Sequence, residues 1–176
     1  MGVPPERGGE RAGEPSPEPV ATPVEKGADY IITDADRLGE GGPKHKYSDN
    51  LAAIRLLKEI EAAGRPATPD EQAILVKYVG WGGIPQPFDT SHEREYYRAK
   101  SDWAREYAEL KDLLTEEEYA AARLSTTNAH YSSVPIIRGM WAGMRRLGWT
   151  GGTWLEAGAG IGHFAGLQPT DTVRGG

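Results

Sequence analysis

Residues 153–164 read Thr153-Trp154-Leu155-Glu156-Ala157-Gly158-Ala159-Gly160-Ile161-Gly162-His163-Phe164. The pattern predicts a strand over Thr153–Leu155, a glycine turn, and a helix start. That is the first β-loop-α unit of a doubly wound, Rossmann-like α/β domain. Glycines at such a turn let the backbone approach a ligand closely, and the helix start presents N–H groups to it. Their spacing separates two ligand classes. A dinucleotide site wants G-x-G-x-x-G; counted from Gly158, the third glycine falls at position 163, which is His163. The run is instead E-x-G-x-G-x-G. Glu156, at the end of the expected strand, suits a ligand that carries an ammonium group. Only 14 residues follow Gly162, against roughly 30 for a βαβ unit, so the α/β domain is expected to begin here and stay incomplete.

Upstream of this run the patterning is helical. Ser48 or Asp49 suits an N-cap. Ala53, Leu56, Leu57 and Ile60 then share one face, and Gly64 supplies the stop. Thr68-Pro69-Asp70-Glu71 forms a capping box with proline at the first helical position. It predicts a helix through Ile74, Leu75, Tyr78 and Val79 to Gly80. Tyr96, Trp103, Tyr107, Leu110 and Leu114 form an apolar stripe on a long helix expected from about Ser91 to Leu114. Thr115 with Glu118 is a second capping box, opening a short helix to about Arg123. A further helix is expected over Val134 to Leu147. Its buried side holds Ile137, Met140, Trp141, Met144 and Leu147, and Gly148 ends it. Tyr30-Ile31-Ile32 reads as a short strand or an anchoring segment.

Residues 1–27 are rich in Pro, Gly and Glu and hold almost no large apolar side chains, so burial cannot offset the entropy of ordering them. Three parts follow: a disordered tail over 1–27, a mainly α region over 28–147, and the start of the α/β domain over 148–176. A protected helical core with two labile ends, before residue 28 and after about Gly148, is the corresponding expectation. The chain carries a net charge of −6 at pH 7, which argues against a wholly basic nucleic-acid module. It has no cysteine, which excludes disulfides and thiolate chemistry. Its four histidines lack metal-binding spacing, so no metal site is expected. No apolar run approaches the roughly 20 residues of a membrane helix, and the N-terminus lacks a signal-peptide core. A cytoplasmic protein without membrane contact is the expectation.

The segment TWLEAGAGIGHF resembles the S-adenosylmethionine loop of class I methyltransferases, and its closing Phe164 is similar to the adenine DNA methylase version. Asn128-Ala129-His130-Tyr131-Ser132-Ser133 resembles the stretch that precedes this loop in amino-methyltransferases, with Val134-Pro135 following one place later than in the family pattern. Three more stretches are similar to the N-terminal region of large bacterial and phage-borne proteins that join a DNA methylase to a Swi/Snf-type helicase. They are ITDADRLGEGGPKHKYSDNLAAIRLLKE, RPATPDEQAILVKYVGWGG and LLTEEEYAAARLSTTNAHY. Together the resemblance covers roughly residues 30–168. It implies a piece of an S-adenosylmethionine-dependent adenine-N6 DNA methyltransferase joined to a helicase, cut off just after the cofactor loop, acting in DNA methylation and restriction-modification. The cofactor residues implied are Tyr131, Glu156, Gly158, Gly160 and Gly162, and DNA is the partner of the intact family.

The family's catalytic loop, (D/N/S)-P-P-(Y/F/W), is absent. The one Pro-Pro pair is Pro4-Pro5, between Val3 and Glu6. The acidic residue expected to hold the ribose hydroxyls is also absent. Whether the chain is an enzyme at all is therefore open: no catalytic residue is expected, and S-adenosylmethionine binding should be weak or absent. Two other classes stay open. One is a non-catalytic interaction module that completes a separately encoded methyltransferase. The other is a fragment of a dinucleotide-binding oxidoreductase, against which His163 stands. Trp81 reads as a helix-corner filler ahead of a stacking platform for nucleic acid, and the Tyr96/Trp103/Tyr107 stripe as core. Lys44, His45 and Lys46 read as a solvated loop ahead of a phosphate contact. Tyr131 suits plain packing as well as a pocket wall, and His163 has no partner identifiable from the sequence.

Overall fold

The computed structural model describes residues 27–89, 91 and 101–172. The tail expected to be disordered, up to residue 26, lies outside them. So does most of the first part of the long helix expected from Ser91, residues 92–100.

Helix α1 spans Pro43–Ala63. It starts five residues before Ser48, because Gly42 precedes a proline at the first helical position, where a missing N–H costs nothing. Gly64 ends it in the left-handed region at φ 60°. The inward face carries Tyr47, Asn50, Leu51, Ala53 and Ile60, whereas Leu57 points to solvent. Helix α2, Pro69–Leu75, opens on the expected box: Thr68 accepts the Glu71 N–H, and the Glu71 carboxylate accepts the Thr68 N–H at 2.8 Å. Arg65 grips that carboxylate with both guanidinium nitrogens, at 2.7 and 2.6 Å. With the Thr68 bond, this holds the Glu71 carboxyl down at about 2. The helix is shorter than its pattern predicts, and Tyr78 and Val79 fall in the loop beyond it.

Helix α3 covers Ala104–Leu113 and α4 covers Glu116–Asn128. The Thr115–Glu118 box opens α4, which outruns its expected end at Arg123. Helix α5 is Val134–Arg146, and α6 is a single turn, His163–Gly166. Ile137 and Trp141 are buried on α5, but Met140 and Leu147 face outward. Leu147 already lies past the last helical residue, and Gly148, at φ 95°, turns the chain away there.

Two apolar clusters hold these pieces. The first joins Tyr47 and Leu51 of α1, Trp81, Ile84 and Phe88 of the following loop, Tyr107 and Leu110 of α3, and Tyr119 of α4. Trp81 meets Phe88 edge-on at 5.1 Å, and the Tyr47 hydroxyl donates to the Glu106 carbonyl at 3.0 Å. The second joins Ile32, Ile137, Trp141 and Leu167, with Trp149, Trp154 and Phe164 packed around them. Tyr30–Ile32 thus serves as an anchor: the Ile32 N–H donates to the Gly166 carbonyl at 2.8 Å.

The structure corrects the expected β-loop-α unit. Among the described residues there is no strand and no sheet. Residues 152–156 run without regular structure. A parallel strand is stabilised by ladder bonds to neighbouring strands, and no described segment offers Thr153–Leu155 such a neighbour. Side-chain packing decides its course instead. Trp154 turns in against Trp141 at 5.4 Å and Phe164 at 5.6 Å, while Leu155 is left 91% exposed. The same packing removes the reason to expect a labile segment directly after Gly148. Among the described residues, no helix is long and apolar enough to cross a membrane.

Candidate functional site

The glycine run makes a compact turn over α5. Gly160 and Gly162 lie in the left-handed region, at φ 53° and 77°, which glycine enters without the penalty of a Cβ. The Gly162 N–H closes the turn on the Ala159 carbonyl at 2.8 Å. Beside this turn lies a cavity of about 400 Å³, toward the lower end of the roughly 300–1,000 Å³ usual for small-molecule sites. Tyr131, Glu156, Gly158 and Gly160, four of the five residues expected to bind a cofactor, line it. Ile137, Met140 and Phe164 supply an apolar floor. Glu156 is the one acid among the described lining residues, and its carboxylate makes no hydrogen bond or ion pair with another described residue. It is therefore available to a cationic group. Gly162 faces a neighbouring cavity of about 540 Å³, lined in part by Tyr30, Gln72 and Trp154.

The sequence gives no warning of what surrounds Tyr131. Its ring fits against bare backbone at Gly80 on one edge and Gly160 on the other. Asn50, fully buried on α1, holds the Gly80 segment: its side chain donates to the Gly80 carbonyl at 2.7 Å and accepts the Val79 N–H at 2.8 Å. A mid-helix asparagine reads as a surface residue, and only the tertiary fold reveals its two partners.

Of the other residues singled out in the sequence, His163 also lines this cavity, whereas Trp81, Lys44, His45 and Lys46 lie away from it. Trp81 is 1% exposed in the first cluster, which rules it out as a stacking platform. Lys44, His45 and Lys46 sit in the first turn of α1 rather than in a loop. Lys44 pairs with Glu106 at 2.7 Å and lies over the Trp103 ring at 4.0 Å. Compared with known proteins, the chain matches no family model, no curated protein and no solved structure.

His163 finds its partner in the backbone. It is 7% exposed, and its Nε2 lies 2.9 Å from the Val76 carbonyl. A carbonyl only accepts, so Nε2 carries the proton. Burial holds the imidazole pKa below the ordinary 6.5, against the opposing pull of the Val76 bond. The unfolded chain therefore takes up this proton more readily than the folded one. The stabilising contribution is complete above the unfolded value and is lost as pH falls below about 6.5. We expect the thermal midpoint to drop between about pH 7.5 and about pH 5.5, and His163→Gln to shrink that drop. Equal drops in both proteins would show that His163 is not the group responsible.

Proposed function

We propose that this chain carries the S-adenosylmethionine-binding segment of an adenine-specific DNA methyltransferase of the helicase-associated kind, and that it transfers no methyl group by itself. The observation that carries the reading is the convergence of Tyr131, Glu156, Gly158 and Gly160 on one cavity. In this reading the Glu156 carboxylate takes the ammonium of the methionyl group. The bare backbone at Gly158 and Gly160 admits the ligand closely, and Tyr131 with Phe164 flanks it. Binding is weak, because no second acid among the described residues lines the cavity to accept the ribose hydroxyls. Each such charge-assisted bond is worth about 1.5–3 kcal/mol.

The chemistry of transfer needs more than this. The target amine must be held by a polar side chain and a backbone carbonyl, with an aromatic stacked on the extruded base. No (D/N/S)-P-P-(Y/F/W) segment exists in the chain to do so. Incubation with labelled S-adenosylmethionine and mixed-sequence DNA is expected to give no incorporation above a heat-killed control. Calorimetry at micromolar ligand is expected to give no saturable isotherm. Methyl incorporation, or a tight stoichiometric isotherm, overturns the reading.

A second reading, a module that completes a separately encoded methyltransferase, is favoured by the outward apolar residues Met140 and Leu155 on the lining of this cavity. Both are exposed, as are Ile136 and Leu147, and exposed apolar side chains suit contact with another protein. In that reading, adding a second polypeptide that carries an NPPY-type loop yields methyl transfer that neither component gives alone.

A further inference from the structure

We infer that Gly80 is a positioning residue for the glycine-run cavity, acting on it through the ring of Tyr131. The inference rests on reading that cavity as a ligand site. Gly80 is pinned from both sides. The Asn50 side chain bonds the Val79 N–H and the Gly80 carbonyl, and the next residue, Trp81, is locked in the first apolar cluster. The pinned backbone sits at φ 74°, where glycine is favoured. A Cβ there would meet Tyr131 Cε2 at 2.3 Å and Cδ2 at 2.9 Å. Gly82, two residues on, leaves no more room: a Cβ would lie 2.9 Å from the Ala129 carbonyl. The loop thus receives the 129–131 segment on bare backbone.

The opposite edge of the same ring completes a wedge. Tyr131 Cε1 and Cδ1 lie 3.0 and 3.2 Å from the position of a Cβ on Gly160. One aromatic ring therefore spans two glycines from distant parts of the chain, one fixed to the helical core and one in the ligand loop. The Tyr131 side chain makes no hydrogen bond with a described residue, so steric contact at these two edges sets its place. It also stands as a partition, lining the glycine-run cavity on one side and a smaller cavity of about 250 Å³ beside Gly80 on the other. A methyl group at position 80 must drive the ring toward Gly160 and into the ligand cavity.

The test is a coupling experiment on the full chain, labelled with nitrogen-15. Gly80→Ala is expected to shift the amide resonances of Gly158 and Gly160 without ligand, and to weaken the response to S-adenosylmethionine several-fold. In a Tyr131→Ala background the same change is expected to move neither readout further, since the mediator is gone. Should Gly80→Ala fail to fold, Tyr131→Leu must reproduce the loop shifts and Tyr131→Phe must not. Loop resonances unmoved by Gly80→Ala, equal effects with and without the Tyr131 ring, or an unshifted loop in Tyr131→Leu overturn the proposal. Expected loop shifts with no ligand response in the parent chain overturn the reading of the cavity and leave the wedge standing.

Discussion

Trp141→Ala is expected to cost about 3–5 kcal/mol of stability, the range for truncating a large buried aromatic. Trp141 is 2% exposed and centres the second cluster. Its ring stacks on Phe164 at 4.5 Å and meets Trp149 and Trp154 at 5.2 and 5.4 Å. Its Nε1 donates to the Phe164 carbonyl at 3.0 Å. Alanine would leave a void that three neighbouring rings cannot fill together, and would strip that carbonyl of its donor. Because these rings all follow Gly148, the damage is local as well as global. Urea denaturation gives the first quantity, and limited proteolysis gives the second, as new cuts after residue 148. A loss below about 1 kcal/mol, with unchanged cleavage, would mean that this segment is not seated on α5 as described.

Asn50→Leu is the second large effect. Leucine matches asparagine closely in shape but offers neither donor nor acceptor. The Gly80 carbonyl and the Val79 N–H would both lose their partner, at about 1–3 kcal/mol for each group left buried and unpaired. Asn50→Asp keeps the acceptor for Val79 but sets a carboxylate oxygen against the Gly80 carbonyl, so it is expected to destabilise as well. Urea denaturation of both variants checks this, and a leucine variant as stable as the parent contradicts it.

The parts of this fold that the sequence foretells are those fixed by neighbours along the chain. The boxes at Thr68–Glu71 and Thr115–Glu118 close over three residues, and Gly64 and Gly148 turn the chain where α1 and α5 stop. The start of α1 was readable in principle from Pro43, whose place in a Gly-Pro-rich stretch suggests a turn. The strand at Thr153–Leu155 failed because a strand is a property of pairs. The residue types alone allow it, but among the described residues the aromatic side chain of Trp154 finds a better place against Trp141 than the backbone finds in any ladder.

The candidate site divides in the same way. Glu156, Gly158 and Gly160 lie within five residues of one another, so a single motif brings them to notice. Tyr131 belongs to a separate segment, residues 128–133, and the structure places it on the same cavity. The sequence does not single out Asn50 and offers Gly80 only as a helix end, because their roles depend on contacts across 30 and 51 residues of chain. His163 was without an identifiable partner for the same reason, since the Val76 carbonyl lies 87 residues away.

Titration of the nitrogen-15-labelled chain with S-adenosylmethionine, followed at Tyr131, Glu156, Gly158 and Gly160, tests the proposed weak binding through Glu156. Shifts are expected to grow through the millimolar range, cluster around this cavity, and vanish in Glu156→Gln. No response at these residues in millimolar ligand, or the same response in Glu156→Gln, would contradict it.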